Sequence, residues 1–160
     1  MKNIKILFSC SFCFTMICCN NSNNNDITNK ETIIDYPIEI PFTDYSLSET
    51  SCQWINFESN KVIIINSDEK LIDYIVCTDN DYPKIDFLDH SLLLISGMAS
   101  GSPADVIEIE LQQILVNEYA LHLKVRPGPA ATPGRWYISI IIPKILQDAI
   151  ITLNVQQINY

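Results

Sequence analysis

A two-residue alternation of apolar and polar side chains in the second half of the chain restricts the fold most strongly. In DVIEIELQQILVN, Ile107, Ile109 and Leu111 alternate with Glu108 and Glu110, which gives one dry face and one wet face. YALHLKVR alternates in the same way, and RWYISIIIPK and IITLNVQQI read as further strands. Half-polar alternation with short connections favours antiparallel pairing. The pattern therefore predicts a mainly antiparallel β-sheet or a partial barrel.

The shared faces of these strands can also be read from the sequence. In YALHLKVR the apolar set is Tyr119, Leu121, Leu123 and Val125. In RWYISIIIPK one face carries Trp136, Ile138, Ile140 and Ile142. Because side chains alternate across a strand, each set is predicted to face the core.

One short helix is predicted before this sheet. The continuous apolar run 62–65 is typical of a buried strand. Ser67 then has the side chain of an N-cap, and Asp68 and Glu69 follow in the first turn, where the helix dipole favours carboxylates. An apolar stripe comes next, formed by Leu71, Ile72, Ile75 and Val76. This spacing predicts an amphipathic helix that packs on the sheet and ends near Cys77. The predicted fold class is therefore α+β.

The stretch SLLLISGMASGSPADV is predicted to form a buried strand and a hairpin. Leu92 to Ile95 form the strand, and SGMASGSP is expected to return the chain directly into the run 106–111. Gly97 and Gly101 are expected to supply backbone freedom at this turn. Ser100 beside Gly101 does not form G-x-S-x-G, and an alternating strand follows it instead of a helix. No catalytic residue is therefore assigned to this stretch.

The N-terminus predicts export. MKNIK is a short positive region, and ILFSCSFCFTMIC is an apolar stretch of the length of a secretory signal, too short for a stable membrane span. Residues 16–19 resemble a bacterial lipobox, which implies cleavage before Cys19 and lipid attachment to it. The alternatives are an ordinary cleaved signal or an uncleaved anchor. The prediction is a signal peptide over 1–18, a tether over 19–35 and a single domain over 36–160.

Two cysteines are left for the predicted domain. Cys10, Cys13 and Cys18 lie in the signal, which leaves Cys52 and Cys77 besides Cys19. In an exported protein such a pair favours a disulfide. Two separate buried thiols are the alternative.

The charge balance disfavours two classes of partner. Removal of the first 18 residues leaves 8 basic against 19 acidic residues, a net charge of −11. An acidic surface repels the phosphates of nucleic acid and an anionic membrane face. Basic partners and divalent cations remain compatible with it.

Neither a metal nor a cofactor is predicted. DNDYPKIDFLDH groups Asp79, Asp81, Asp86 and Asp89 with His90. Counted from its first aspartate, the stretch has lysine where a calcium-binding EF-hand has glycine, and histidine where it has glutamate. Zinc would need closely spaced His or Cys pairs. A solvated acidic turn is the preferred reading.

One exposed aromatic residue is the best candidate for a binding surface. Tyr137 lies opposite the face that carries Trp136, so its ring is expected to point to solvent, where it could meet a sugar or a peptide. Ser100 and Ser102, in the small-residue loop, are candidates for the edge of the same surface.

The order of several segments resembles that of a known group. CQWINF, VIIINSDEKLIDYI, KIDFLDHSLLLISGMASG, YALHLKV and RWYISIIIPKI are similar to small lipoproteins of Bacteroidetes-type bacteria. The central part resembles the C-terminal domain of PrcB-type accessory lipoproteins, which partner and stabilise a cell-surface protease. The likeness covers roughly residues 52 to 155 and includes no catalytic residue. It implies a fold and a protein-binding role, with the loops and the length differing from that family.

The resulting prediction is a monomeric envelope lipoprotein without enzymatic activity. Lipid on Cys19 would hold it at the bacterial membrane, facing the periplasm or on the outer membrane, and a protein is its expected partner. The tether NNSNNND lacks the acidic run of a surface-export signal, which favours the periplasm-facing location. The alternatives are a module that binds a glycan or a small ligand, and a hydrolase that uses Ser100 or His122.

Overall fold

The computed structural model describes residues 35–79 and 81–158. The predicted signal peptide, Cys19 and the predicted tether up to residue 34 lie outside the described residues. The described part forms a single-turn helix α1 (Asp68–Leu71) and the strands β1 (Ile38–Glu39), β2 (Thr43–Asp44), β3 (Cys52–Trp54), β4 (Lys61–Ile65), β5 (Ile75–Cys77), β6 (His90–Ala99), β7 (Asp105–Leu115), β8 (Glu118–Arg126), β9 (Gly134–Pro143) and β10 (Ile150–Gln157). No described helix is long and apolar enough to cross a membrane.

The strands form three sheets. Sheet 1 has the order β1-β7-β8-β10, sheet 2 the order β2-β9-β6-β4, and sheet 3 pairs β3 with β5. All pairs are antiparallel except β8 with β10, which is parallel. The predicted mainly antiparallel architecture is confirmed, and the sheets do not close into a barrel.

Sheets 1 and 2 pack face to face. Their shared core contains Leu121, Leu123 and Val125 of β8, with Trp136 and Ile140 of β9. Of the remaining predicted inward residues of these strands, Tyr119 and Ile142 also belong to this cluster, and the half-buried Ile138 packs against it. The two-residue alternation of β8 and β9 therefore predicted the core face correctly.

The outer face of sheet 2 is buried as well. Leu92 and Leu94 of β6 join a second cluster with Leu71 of α1 and Ile75 of β5. Leu93 and Ile95 belong to the first cluster. Because β6 is covered on both faces, its sequence is a continuous apolar run and not an alternating one. This confirms the predicted buried strand over 92–95.

The predicted helix is wrong in its length. Ser67 is the N-cap as expected, and its hydroxyl accepts a hydrogen bond from the Lys70 amide at 3.2 Å, but α1 ends at Leu71. Ile75 and Val76 lie in β5 instead, where β-branched side chains are favoured. Strand pairing with β3 therefore prevails over the helical spacing of these apolar residues. The helical part of the predicted α+β fold is reduced to the single turn of α1.

The predicted hairpin after β6 is also wrong. SGMA belongs to β6, which lies in sheet 2, while β7 lies in sheet 1, so the short loop 100–104 carries the chain from one sheet to the other. The hairpin of this region is β7–β8, where Asn117 adopts a φ of 61°. A hairpin joins two strands that are paired in one sheet. The strands β6 and β7 instead lie in two sheets that face each other across the core, so the loop between them is not a hairpin.

The glycines of this region serve close packing. No described glycine has a positive φ, which contradicts the expected role of Gly97 and Gly101 in backbone freedom. A Cβ on Gly97 would lie 2.6 Å from Cε2 of Trp136 and nearer still to the adjacent ring carbon. A Cβ on Gly101 would overlap the carbonyl oxygen of Gly128. Both positions need the absence of a side chain and not a special backbone conformation.

Strand β7 departs from the predicted alternation at its start. Its register with β8 shifts between Val106 and Glu108, so Ile107 is the extra residue of a β-bulge. Ile107 is exposed, whereas Val106 and Ile109 pack on the core. The prediction that Ile107 shares the dry face with Ile109 is therefore wrong. The extra residue of the bulge shifts the two-residue alternation by one position, so Val106 and not Ile107 faces the core.

Candidate functional site

The predicted disulfide is present. Cys52 of β3 and Cys77 of β5 are bonded and lie directly opposite each other, with a Cα–Cα distance of 4.0 Å. Their sequence separation is 25 residues. The bond joins the two strands of sheet 3, and Cys52 is buried in the second cluster, which packs on the outer face of sheet 2. Sheet 3 thereby forms one wall of the groove described next.

A short strap covers only part of the edge of each main sheet. The strap comprises residues 38–45; its strand β1 pairs with Gln112 and Gln113 near the end of β7. Its strand β2 pairs with Ile140 and Ile141 near the end of β9. Since β1 and β2 have two residues each, no described strand pairs with the outer edge of the first half of β7 or of β9, whose other edges pair with β8 and β6.

The strap leaves β9 at Ser139. The Tyr45 amide donates to the Ser139 carbonyl oxygen at 2.8 Å, and the Ser139 hydroxyl donates to the Tyr45 carbonyl oxygen at 2.5 Å. The main-chain groups of Ser139 therefore point away from β6. Backbone direction alternates along an antiparallel strand, so those of Tyr137 and Arg135 point the same way.

The opposite strand supports this assignment. Tyr137 lies opposite Ser96 of β6, and the Ser96 carbonyl oxygen accepts from Asn60 on the far side of that strand, at 2.7 Å. Ser96 and Tyr137 are thus a pair whose main-chain groups point away from each other. The N–H and C=O groups of Arg135 and Tyr137 therefore form an open edge, on which no described strand is paired.

A groove of about 700 Å³ runs beside this open edge. Its floor includes Val106 and Ile109 from β7 and Trp136 and Ile138 from β9. Its rim includes Tyr137, whose residue surface is 55% exposed. The groove thus joins an apolar floor to an edge of unpaired backbone, which is the combination that an added strand requires.

A chain of aromatic rings forms the wall of the groove. Tyr137 stacks on Phe57 with ring centroids 5.4 Å apart and an interplanar angle of 11°. Phe57 contacts Trp54 at 6.2 Å, and Trp54 contacts Tyr45 at 5.8 Å. Trp54 and Tyr45 also line the groove. Stacking on Phe57 therefore restricts the motion of the exposed Tyr137 ring in the free protein. Less side-chain conformational entropy is then lost when a ligand binds to this ring.

The electrostatic character of the groove comes from few groups. Asp44 and Asp105 line it together with Arg135. Burial, and to a smaller extent the charges of Tyr82 and Asp68, raise the pKa of Tyr45 from 10 to about 12, so its hydroxyl remains protonated to a higher pH than that of an exposed tyrosine. Its hydroxyl donates to the Pro83 carbonyl oxygen at 2.8 Å, which holds this part of the wall in place.

The other two residues of the predicted binding surface do not line the groove. The Ser102 hydroxyl is 2.8 Å from the Thr132 hydroxyl, and its backbone pairs with Ala130 in the neighbouring loop. The Ser100 amide donates to Oε1 of Gln157, at the end of β10. Only Tyr137 therefore belongs to the groove. Sequence reasoning missed Trp54, although its place beside Cys52 in CQWINF was the signal that could have found it.

The residues considered for catalysis are spread over the molecule. His90 and Ser100 stand at opposite ends of β6, about 33 Å apart at the usual rise per residue of a strand. His122 lies opposite Glu110 on sheet 1, in a second, polar groove of about 560 Å³. Cys52 and Cys77 are consumed by the disulfide. Within 35–79 and 81–158, no three His, Cys, Asp or Glu side chains are grouped closely enough to hold a metal ion.

Comparisons with protein-family models, with curated proteins and with solved structures gave no match for this chain. The groove beside β9 is accordingly interpreted from its own geometry.

Proposed function

We propose that this chain is a non-enzymatic, lipid-anchored protein of the bacterial envelope that binds an extended segment of a partner protein along the open edge of β9. The observation that carries the proposal is the unpaired backbone of Arg135 and Tyr137 beside an aromatic-walled groove. A strand added here would receive main-chain hydrogen bonds from β9 and place alternate side chains over the groove. Specificity would come from the contacts of those side chains with Trp54 and Tyr137.

The size of the groove agrees with a peptide ligand. A volume of about 700 Å³ accommodates a few side chains of an extended segment. Each main-chain hydrogen bond adds about 0.5 to 1.5 kcal/mol net, and an anchored aromatic contact adds about as much again. The strongly negative net charge of the chain favours a partner whose segment carries lysine or arginine.

Several observations support a place in the envelope. The disulfide between Cys52 and Cys77 is a bond that persists in oxidising compartments. The residues before Cys19 resemble a lipobox, and acyl chains add about 0.8 kcal/mol of membrane affinity per buried CH₂. The proposal places the monomeric domain at the bacterial membrane, periplasm-facing or on the outer membrane, with no cofactor. The likeness to PrcB-type lipoproteins favours a protease as the partner.

Site-specific photocrosslinking in the intact envelope tests the peptide-binding role. A photoreactive phenylalanine at Tyr137 should form a crosslinked product whose partner peptide can be identified by mass spectrometry. The same group at His122, on the polar face of sheet 1, is the matched control. Crosslinking that is equal at both positions, or absent from Tyr137, would refute binding at the β9 edge.

Two substitutions of Tyr137 distinguish the contribution of its ring to partner binding from the contribution of its backbone amide. Tyr137→Ala removes the stacked ring and keeps the amide, whereas Tyr137→Pro also removes the N–H that points to the open edge. A partner that binds as a strand should be weakened by alanine and weakened further, by about fivefold or more, by proline. Thermal melting of both variants shows whether the fold is retained.

A second candidate function is the binding of a glycan. The exposed Tyr137 ring, stacked on Phe57, is a platform on which a sugar ring could lie. Glycan arrays with the wild type and the Tyr137→Ala variant distinguish this function. Retention on a glycan that Tyr137→Ala loses, without any crosslinked protein, would favour the glycan over the peptide.

A further inference from the structure

A cluster of exposed apolar side chains lies at one end of the sandwich. We define the proximal end as the end of the sandwich that carries the start of β1, the β7–β8 turn and the connection from β9 to β10. The opposite end, which carries the loop 100–104, is the distal end. Val116 is 77% exposed in the β7–β8 turn, with Leu115 beside it. Leu146 and Ile150, 63% and 60% exposed, lie in the connection from β9 to β10 and at the start of β10. We call Leu115, Val116, Leu146 and Ile150 the apolar tip.

The members of the apolar tip are neighbours in the fold. Ile150 pairs with Glu118 at the start of β8, and its amide donates to the Asn117 carbonyl oxygen at 3.0 Å. Leu146 belongs to the same connection, because its carbonyl oxygen accepts from Ala149 at 3.2 Å. Grouped exposed apolar side chains on turns indicate an interaction surface, whereas scattered ones would need no explanation.

The path of the chain identifies what covers this surface. Ile38 of β1 pairs antiparallel with Gln113, so the residues before Ile38 run towards the β7–β8 turn. The tether predicted from the sequence places Asp35 16 positions after Cys19, and a polar linker of that length would have a root-mean-square end-to-end distance of about 22 Å. The ten residues of β6 extend over about 33 Å. A lipid on Cys19 would therefore hold the proximal end nearest to the bilayer.

We infer that the apolar tip inserts into the interfacial region of the bilayer that holds the lipid on Cys19. The inference rests on the proposed lipid anchor. Tethering raises the local concentration of the tip at the membrane, so a small apolar surface is sufficient for insertion. In this orientation the start of β9, with Arg135 and the open edge, lies on the half of the domain that faces away from the membrane.

The charged residues of the proximal end indicate the headgroup charge of the lipid that the apolar tip would contact. Asp86, Asp89, Glu118 and Asp148 lie in its turns and strand ends, and Lys144 follows the end of β9 at the same end of the domain. The Lys144 ammonium group donates to the carbonyl oxygens of Phe87 and Asn66, at 2.6 and 3.2 Å. An excess of carboxylates is repelled by anionic headgroups. The expected surface is therefore zwitterionic, and anionic lipid should reduce insertion.

Tryptophan quenching by brominated lipid tests the orientation. Val116→Trp places a probe on the apolar tip, and Met98→Trp places a matched, exposed probe near the distal end of β6. The full-length lipoprotein is reconstituted into phosphatidylcholine vesicles with brominated or ordinary acyl chains. Val116→Trp should lose at least about half of its added emission in brominated vesicles, because an interfacial apolar surface is buried about 5 to 10 Å into the boundary between the headgroups and the acyl chains. Met98→Trp should be unchanged.

A second preparation separates this inference from the proposed anchor. A full-length Cys19→Ala chain with an N-terminal hexahistidine tag is held on nickel-chelating lipid, so its attachment does not depend on lipidation. If the untagged wild type does not float with vesicles but the tagged Val116→Trp chain is quenched, the anchor is wrong and insertion of the tip stands. If the attached Val116→Trp chain is quenched no more than Met98→Trp, the inference is overturned.

Two further outcomes are decisive. If emission from Val116→Trp depends on protein density and not on bromination, the tip contacts a second copy and the lipid inference is overturned. Replacement of part of the phosphatidylcholine by phosphatidylglycerol should reduce the quenching, and added salt should restore it. Stronger quenching on the anionic vesicles would contradict the charge argument on which the choice of lipid rests.

Discussion

Replacement of Gly97 by alanine is expected to destabilise the sandwich core. Gly97 pairs with Trp136 across β6 and β9, and the indole ring lies directly over it. The added Cβ would lie 2.6 Å from Cε2 of that ring, well inside van der Waals contact. Trp136 is 2% exposed in the core, so its ring cannot move aside without disturbing neighbouring side chains.

The expected loss follows from two opposing terms. Overpacking of a well-filled core costs about 1 to 3 kcal/mol. Alanine in a strand interior recovers about 0.5 to 1 kcal/mol relative to glycine, because it loses less backbone entropy on folding. The φ of Gly97 is not positive, so alanine adds no backbone strain. The Gly97→Ala variant should therefore lose up to about 2.5 kcal/mol of unfolding free energy, with a central value of about 1.3 kcal/mol.

A double-mutant cycle isolates the steric term. Trp136→Leu removes the ring without breaking a hydrogen bond, because Nε1 of Trp136 has no partner among the described residues. In that background Gly97→Ala should be neutral or stabilising by up to about 1 kcal/mol. Urea unfolding followed by circular dichroism, with the disulfide oxidised, measures all four proteins. Equal effects of Gly97→Ala in both backgrounds would refute the contact between glycine and indole as the cause.

Three further predictions concern single groups. Replacement of both Cys52 and Cys77 by serine should lower the unfolding free energy by about 3.5 kcal/mol, since the bond closes a loop with a separation of 25 residues; a change below about 1 kcal/mol in urea unfolding would contradict this. The pKa of Tyr45 is raised to about 12 by burial, so stability should be complete below pH 10 and fall as the pH rises towards 12. Tyr45→Phe should show a smaller fall in melting temperature over that range. The wild type should incorporate labelled palmitate, whereas a Cys19→Ala protein that still labels would refute lipidation at Cys19.

The sequence was sufficient for the core of the main sheets. Alternation placed Leu121, Leu123 and Val125 of β8 on the buried face, because a regular strand has no other way to bury them together. The apolar run over 92–95 identified the strand that is covered on both faces. These predictions depend only on periodicity and burial, which are local properties of the chain.

The errors arise where tertiary structure outweighs local pattern. Ile75 and Val76 have helical spacing, but the disulfide partner of Cys77 lies in β3, and strand pairing prevails there. The bulge at Ile107 depends on the register with β8, which the pattern of a single strand does not contain. The sequence pattern places Gly97 in a turn, whereas in the structure it lies in β6 against the Trp136 ring. A contact between residues so far apart in sequence cannot be read from the local pattern.

The candidate site was predictable only in part. Tyr137 was identified as an outward-facing aromatic residue, and it is exposed beside the groove. The groove itself depends on how far the strap 38–45 covers the edge of β9. Strands β1 and β2 have two residues each, too few to produce a periodic signal in the sequence. The open edge could therefore be recognised only from the strand pairing.

Amide hydrogen exchange along β9 tests the open edge most directly. In the free protein, the amides of Arg135 and Tyr137 should exchange at least about tenfold faster than those of Trp136 and Ile138, which point to β6. Binding of the partner identified by crosslinking at Tyr137 should slow the two fast amides and leave the slow ones unchanged. Equal protection of all four amides in the free protein, or no added protection of Arg135 and Tyr137 in the complex, would contradict strand addition at this edge.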